Sequence, residues 1–180
     1  MRFLEDTTAW CKWANQVAFV DVDGVVANNL HRLHHLVETV DGKQRYRKDA
    51  DWRSYVKEEP GDTPGLGCNM VYNLSQTYSI VFLTARDDLP NPQRAALLQK
   101  LSDWCNLSDS ALVMRPRDPV TGKALAASTF KVEVLKHMKR QGVPIGLFID
   151  DSQQNCLAVA TLGVPTLRFY NHIDETSLEY

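Results

Sequence analysis

The sequence has few of the features that would place it in a specialised class of protein. No apolar run in its 180 residues is long enough to span a bilayer, and the first eight residues carry acids without an apolar core, which predicts no secretory signal. A formal net charge of −2 argues against wholesale binding to nucleic acid or to an anionic membrane, although a local basic patch is compatible with it. The four cysteines (Cys11, Cys68, Cys105 and Cys156) lack the close pairs of a zinc site, so we expect free thiols and a cytoplasmic protein.

Strands and helices are predicted to alternate through most of the chain. Five short runs are rich in Val, Ile, Leu and Phe without polar alternation, which is typical of strands that are buried on both faces. They are residues 17–22, 79–84, 111–115, 145–150 and 165–169. Because helical patterns separate the later runs, the sequence predicts an α/β fold: a Rossmann-like parallel sheet of about five strands, with helices on both faces.

Residues 28–77 do not take part in this alternation. We expect them to form a small cap or flap inserted after the first strand, while residues 1–27 and 78–180 form the core. The stretch 43–48, followed by Trp52 and Arg53, mixes cations with aromatic side chains. Such a mixture suits single-stranded nucleic acid, and it equally suits a solvated lid surface with its rings packed inward.

Acidic side chains lie at the ends of the first and fourth predicted strands. The first ends in Asp21 and Asp23, at a spacing that in a strand sends both side chains to the same side. Thr84, Ala85 and Arg86 follow the second strand, Lys131 lies in the first turn of a later helix, and Asp150 and Asp151 end the fourth strand. The carboxyl ends of parallel strands meet at one edge, so this edge would collect four carboxylates, for which Mg²⁺ is the natural counter-ion.

Each of these residues has an ordinary structural interpretation when it is taken singly. Thr84 could satisfy a backbone group at the strand end, Lys131 could be an exposed helix residue, and Asp150 with Asp151 could cap a helix. Their joint occurrence, in order along one predicted edge, favours a site. We expect His31, His34 and His35 to form a face of the insertion and not to bind Mg²⁺, because this hard cation prefers oxygen.

Four segments, DVDGVV, LTAR, TFKVEVL and FIDD, resemble the motifs of the haloacid dehalogenase (HAD) superfamily in order and placement. The resemblance extends over roughly residues 16–170. It implies a HAD-like fold and a phosphatase in which Asp21 attacks phosphorus and becomes an aspartyl phosphate. Asp23 would act as general acid and then as general base, Thr84 would hydrogen-bond the phosphoryl group, and Lys131 would neutralise charge. Dehalogenases of the superfamily lack the second aspartate, so Asp23 favours phosphate esters.

The same resemblance implies the ligands and the substrate contacts. Mg²⁺ would be held by Asp21, by the main-chain carbonyl of Asp23 and by the pair Asp150 and Asp151. The resemblance leaves open which member of this pair is the direct ligand. Gly24 and Ala85, which adjoin the motif residues, are predicted to lie against the substrate. No membrane partner is expected, and the sequence does not predict an oligomeric state.

The substrate is less well indicated. The sequence is most similar in appearance to the 3′-phosphatase domain of phage-type polynucleotide kinase-phosphatases, in which arginines corresponding to Arg32 and Arg86 bind substrate phosphate. The alternative is that both arginines are surface salt-bridge partners. Ala127 replaces the usual acid four residues before Lys131, and the chain has no Gly-x-x-x-x-Gly-Lys loop.

Several functions therefore stay open beside hydrolysis of a nucleic-acid 3′-phosphate. The protein could be a 5′(3′)-deoxynucleotidase that acts on mononucleotides, or it could act on a sugar phosphate. It could be a non-catalytic module that reuses the fold. A phosphomutase would need a cap that shields the aspartyl phosphate from water, and the insertion looks too irregular for that.

Overall fold

The computed structural model of the chain describes residues 4–40 and 43–170, without the side chains of residues 43–46. The helices are α1 (Glu5–Cys11), α2 (Trp52–Lys57), α3 (Gly67–Leu74), α4 (Asn91–Trp104), α5 (Ala127–Arg140) and α6 (Gln153–Ala160), with 3₁₀ helices at Leu30–His35 and Glu59–Gly61. The strands are β1 (Val17–Val20), β2 (Ala27–Asn28), β3 (Val37–Val40), β4 (Lys43–Tyr46), β5 (Thr63–Pro64), β6 (Ser79–Asp87), β7 (Ala111–Arg115), β8 (Ile145–Asp150) and β9 (Thr166–Arg168).

Five strands form one parallel sheet in the order β7-β6-β1-β8-β9, which confirms the predicted fold class. Strand β1 is central, with Val20 opposite Phe82 on one side and Ile149 on the other. From β1 the chain builds outward in both directions, so β1 lies at the point where the strand order reverses. Ligands of open α/β sheets bind beyond the carboxyl ends of the strands at such a point.

The strands carry apolar side chains on both faces because helices cover both. On one face, Phe19 of β1 and Phe148 of β8 pack with residues of α1, α5 and α6. On the other face, Ala18 and Val20 pack with α3 and α4. The absence of polar alternation in the sequence is thus explained by two cores, one above and one below the sheet.

The segment between β1 and α3 adds no strand to the five-stranded sheet. Strands β2 and β5 pair with each other, and β3 and β4 form a separate antiparallel hairpin. Helix α3, which falls within the predicted insertion 28–77, contributes Cys68 and Val71 to the core. The boundaries of the insertion stay a prediction.

The basic stretch of the insertion is only partly described. Arg47 forms an exposed ion pair with Asp49, with Nε and Oδ1 3.2 Å apart. The side chains of Lys43, Arg45 and Tyr46, on which the predicted nucleic-acid surface depends, lie outside the described residues. Within the described ranges, no helix has the length and apolar character needed to cross a membrane.

Candidate active site

Asp21 lies immediately after the central strand, where the chain turns sharply. Strand β1 ends at Val20, two residues earlier than the sequence predicts, because the next residues form a turn. The N–H of Asp21 still donates to Ile149 O at 2.8 Å, while the N–H of Ala27 donates to Val22 O at 2.8 Å. Gly24 occupies the turn at φ 75°, a left-handed conformation that costs glycine little.

Lys131 joins the ends of β1 and β8. Its ammonium donates to Asp150 Oδ2 at 2.6 Å and lies 2.9 Å from Asp21 Oδ1. It projects from the second turn of α5, one turn further along the helix than predicted, and its side chain is only 1% exposed. The interpretation of Lys131 as an exposed helix residue is therefore wrong.

Three carboxylates gather around this lysine. One oxygen from each of Asp21, Asp150 and Asp151 lies within 4.8 Å of the others, an arrangement that could hold a metal ion. The cluster carries more negative charge than Lys131 alone neutralises, and carboxylate oxygens are the ligands that Mg²⁺ prefers. The residues therefore fit the predicted cation. The Asp23 carboxylate is not part of the cluster, and a role for the main-chain carbonyl of Asp23 stays a prediction.

Asp150 and Asp151 differ in their surroundings. Asp150 is fully buried, and its two oxygens accept hydrogen bonds from Lys131, from Asn155 Nδ2 and from the N–H of Ser152. Asp151 is half-buried and lines the cavity above the sheet edge. Helix α6 is capped by Ser152, whose hydroxyl accepts from Asn155 N–H at 3.4 Å, so the acidic pair does not cap this helix.

Asp21 is held in a setting that opposes its ionisation in the absence of a cation. Burial raises its pKa to about 7; Lys131 opposes this rise, and the charges of Asp150 and Asp23 add to it. A bound divalent cation would favour the ionised form, which is the form that can act as a nucleophile.

Asp23 is held by two arginines. Arg86 donates to both Asp23 oxygens, at 3.0 Å and 2.7 Å, and Arg32 donates to Oδ1. Burial by itself would raise the pKa of Asp23, but Arg86 and Arg32 keep it below its usual range. The two aspartates of the first motif are thus shifted in opposite directions, which is the pattern expected when two carboxylates have different roles.

The arginines are joined by two acids that the sequence analysis did not single out. Asp62 accepts from Arg32 Nε at 2.7 Å and from Arg86 at 2.6 Å, and its side chain is 1% exposed. Glu59 lies 3.9 Å from Arg32 and 3.7 Å from Arg86. We call Arg32, Arg86, Asp62 and Asp23 the arginine clamp. No local signal in the sequence marks Asp62, because it belongs to the insertion and meets the arginines only in the fold.

The two arginines are placed differently with respect to the cavity. Arg86 lines it, whereas Arg32 is fully buried, and its guanidinium lies 4.0 Å from the ring centroid of Tyr55. Both form salt bridges, as the alternative interpretation expected, but neither is a surface pair. That either arginine contacts a substrate phosphate stays a prediction.

Replacing Asp62 by Asn should destabilise the protein by roughly 3 kcal/mol, because it leaves the buried Arg32 without one of its charged partners. The measurement is the free energy of unfolding in urea. Asp49→Asn is the matched control, since this carboxylate forms an exposed, solvent-screened pair with Arg47 and the variant should be as stable as the wild type. Equal stabilities of the two variants would show that the arginine clamp does not contribute to the stability of the fold.

Thr84 and the first residues of α5 also lie at the carboxyl-end edge of the sheet. Thr84 is fully buried, and its Oγ1 accepts from the N–H of Arg86 at 3.1 Å, the backbone interaction considered above. Its hydroxyl proton is still a donor for another group. Ala126, Ala127 and Ser128 at the start of α5 line the cavity, and no side chain described here caps that helix. Its N–H groups and positive dipole end favour an anion.

A cavity of about 390 Å³ lies over the carboxylates. Asp21, Asp23, Ala85, Lys131 and Asp151 line it. Residues of the predicted insertion also line it; these are the apolar and aromatic Leu33, Leu36, Val37, Trp52, Tyr55 and Val56 and the polar Asn29 and Glu59. The volume lies within the range typical of small-molecule sites, and the lining combines charged groups with apolar and aromatic side chains.

Comparison with known proteins supports the fold. No protein-family model matches the chain, and no curated protein sequence matches it. Among solved structures, the fold is similar to that of a haloacid dehalogenase-like family hydrolase from Streptococcus pneumoniae, with a TM-score of 0.53 and 11% sequence identity. The similarity covers 90% of this chain and 88% of that one. At this identity the likeness shows a HAD-like fold and leaves the chemistry to be argued from the residues.

Proposed function

We propose that this protein is a Mg²⁺-dependent phosphatase that hydrolyses phosphate monoesters through an aspartyl phosphate. The observation that carries the proposal is the grouping of Asp21, Lys131, Asp150 and Asp151 at the carboxyl end of the central strand. A buried, lysine-paired carboxylate that opens to a cavity is suited to nucleophilic attack. The HAD-like fold supports the proposal, and the resemblance of DVDGVV to the first HAD motif would make Asp21 the nucleophile.

Asp21 and Asp151 would hold Mg²⁺, because both line the cavity. Asp150 is less suited to direct ligation than Asp151, since hydrogen bonds already occupy its oxygens. Its role would be to position Lys131 and to add negative charge to the site. When bound, the cation screens the repulsion between a carboxylate and an anionic phosphate.

The chain's own residues carry the two chemical steps. An oxygen of Asp21 forms a bond to phosphorus while the bond to the ester oxygen breaks, and Asp23 donates the proton that the leaving alkoxide takes. Asp23 then removes a proton from water, whose oxygen attacks phosphorus and releases inorganic phosphate and the free Asp21 carboxylate. Lys131, Thr84 and the start of α5 supply positive charge and donors to the phosphoryl oxygens.

Arg86 links substrate binding to the proton transfer. It lines the cavity and at present bonds to Asp23 and Asp62. A phosphate dianion entering the cavity would compete with Asp23 for this guanidinium. Weaker pairing of Asp23 with Arg86 would allow Asp23 to take up the proton that a general acid must donate.

We propose that the leaving group is a nucleoside or a nucleotide. Trp52 is 57% exposed, although it lines the cavity, and the apolar Val56 and Leu33 line the same cavity. An exposed indole that lines an anion-binding cavity is well suited to stack on a base. A nucleic-acid 3′-phosphate end, as the sequence resemblance implies, would insert its terminal nucleotide. A mononucleotide is the second candidate, because the cavity is the size of a small-molecule site.

The test is a comparison of initial rates with Mg²⁺ on a 3′-phosphorylated oligonucleotide, on 3′- and 5′-mononucleotides and on sugar phosphates. Activity should require the cation and be lost in EDTA. If the substrate is a nucleic-acid 3′-phosphate end, the oligonucleotide should have the highest kcat/KM, and its KM should rise steeply with salt concentration. If the protein is a nucleotidase, kcat/KM should be highest on a mononucleotide. Inactivity of metal-loaded protein on the whole panel would instead support a non-catalytic module.

Trp52→Ala tests the leaving group in the same assay. Loss of stacking should raise KM for nucleotide substrates by roughly 5- to 100-fold and leave KM for sugar phosphates unchanged. Trp13→Ala is the matched control, because Trp13 is 91% exposed and does not line the cavity. If Trp52→Ala changed KM for both substrate classes equally, the indole would not recognise the base.

A further inference from the structure

A second group of potential ligands lies in the insertion, apart from the carboxylate cluster. His34 and His35 at the end of the 3₁₀ helix Leu30–His35 meet Glu58, the C-cap residue of α2. One ligand atom from each of these three residues lies within 4.8 Å of the others. None of the three lines the cavity above Asp21, so the group has no part in the chemistry described so far.

The hydrogen bonds of the group leave ligand atoms available. His34 Nδ1 lies 2.9 Å from the carbonyl oxygen of His31, which can only accept, so the proton of this ring is on Nδ1 and the lone pair is on Nε2. A histidine that binds a metal through one nitrogen commonly donates from the other to a carbonyl in this way. The imidazoles of His34 and His35 have centroids 3.9 Å apart, so both can approach one ion.

Glu58 supplies the negative charge. Its Oε1 lies 3.0 Å from His35 Nε2, and this part-buried hydrogen bond keeps the pKa of Glu58 below its usual range. A nitrogen and an oxygen bound to one tetrahedral ion at about 2.0 Å would be roughly 3.3 Å apart. The two atoms thus need to move little to accept an ion in place of the hydrogen bond.

We propose that His34, His35 and Glu58 bind one Zn²⁺ ion, with water at the remaining position. Two imidazoles and one carboxylate form a ligand set that suits zinc, whereas Mg²⁺ prefers oxygen. The sequence-based expectation that these histidines do not bind Mg²⁺ is compatible with such a site. The exposure of His34 gives an ion from solvent a direct route to it.

The ion would join the two segments of the insertion that form the arginine clamp. Arg32 lies in the same 3₁₀ helix as His34 and His35, while Glu58 directly precedes Glu59 and leads to Asp62. A bond between these segments through Zn²⁺ would restrain the insertion over the cavity. The role of the ion is therefore structural, and its binding can be measured without any assay of phosphatase activity.

The experiment is a titration of the full chain with Zn²⁺ in the presence of excess Mg²⁺. Calorimetry measures the number of ions bound, and thermal melting measures the change in stability. We expect the wild type to bind one Zn²⁺ more than His34→Gln or Glu58→Gln binds. At a free Zn²⁺ concentration of about 100 times Kd, the melting temperature of the wild type should rise by roughly 5–10 °C, and most of this rise should be lost in both variants.

Two controls separate this site from other zinc binding. His137→Gln removes a histidine of α5 outside the group and should keep the wild-type stoichiometry and shift. The melting temperature of each variant without zinc should match that of the wild type, since His34 is exposed and its loss should not unfold the protein. The same zinc stoichiometry and the same shift in the wild type, His34→Gln and Glu58→Gln would overturn the proposal, because any bound zinc would then lie elsewhere.

Discussion

Replacing Asp21 by Asn should lower kcat by about 10³-fold or more, because it removes the residue that we propose as nucleophile and as a ligand of the cation. The measurement is release of inorganic phosphate from the preferred ester with Mg²⁺. Asp103→Asn, which changes an exposed carboxylate of α4, is the control and should leave kcat unchanged. Full activity of Asp21→Asn would exclude the aspartyl-phosphate mechanism.

The same variant should be stable, which separates lost chemistry from lost folding. The pKa of Asp21 is raised from 3.8 to about 7, chiefly by burial, so its ionisation destabilises the metal-free fold increasingly as pH rises through that interval. Asn carries no such charge. In EDTA at pH 8, Asp21→Asn should therefore be more stable than the wild type, by up to roughly 4 kcal/mol. The difference should shrink towards pH 4; a constant difference between these pH values would contradict this account of Asp21.

Replacing Lys131 by Met should destabilise the protein by roughly 3–5 kcal/mol and lower kcat by about 10²- to 10³-fold. The stability effect arises because Asp150 is fully buried and Asp21 nearly so, and both would lose their shared ammonium partner. The activity effect arises because a cation beside the attacking carboxylate and the phosphoryl group would be absent. Urea unfolding and steady-state kinetics measure the two effects.

Lys136→Met is the matched control, because this lysine lies on the same helix but is 48% exposed and pairs with Glu133. It should be close to the wild type in both measurements. Mg²⁺ should stabilise Lys131→Met more than it stabilises the wild type, since the cation would partly replace the lost charge. If Lys131→Met behaved like Lys136→Met, Lys131 would not hold the carboxylate cluster together.

The fold could be predicted from the sequence because each strand corresponds to a short continuous run of apolar residues. Buried strands covered on both faces must be apolar along their length, and β7 and β8 begin and end where the apolar runs do. The end of β1 was placed too late because Val22 is apolar and yet belongs to the turn, where its carbonyl accepts three N–H groups. Apolar character reports burial, and it does not distinguish a buried strand from a buried turn.

The carboxylate cluster could also be predicted from the sequence. Asp21, Asp150 and Asp151 lie at the ends of predicted strands, and the carboxyl ends of parallel strands meet at one edge whatever their order in the sheet. The arginine clamp could not be predicted from the sequence, because Asp62 lies in a segment without periodicity. Arg32 and Arg86 looked like candidate phosphate ligands, but no spacing in the chain shows how deeply a guanidinium is buried.

The amino-acid sequence by itself determined which residue types could form a phosphatase site and at which ends of the strands they would stand. This is so because a parallel sheet follows from the alternation of strands and helices. The tertiary structure alone decided how these groups are paired. Lys131 lies between Asp21 and Asp150, and Asp23 is turned to Arg32 and Arg86. Such pairings depend on distances of a few ångströms between residues far apart in the chain, and the packing of α5 and of the 3₁₀ helix Leu30–His35 at the sheet edge sets those distances.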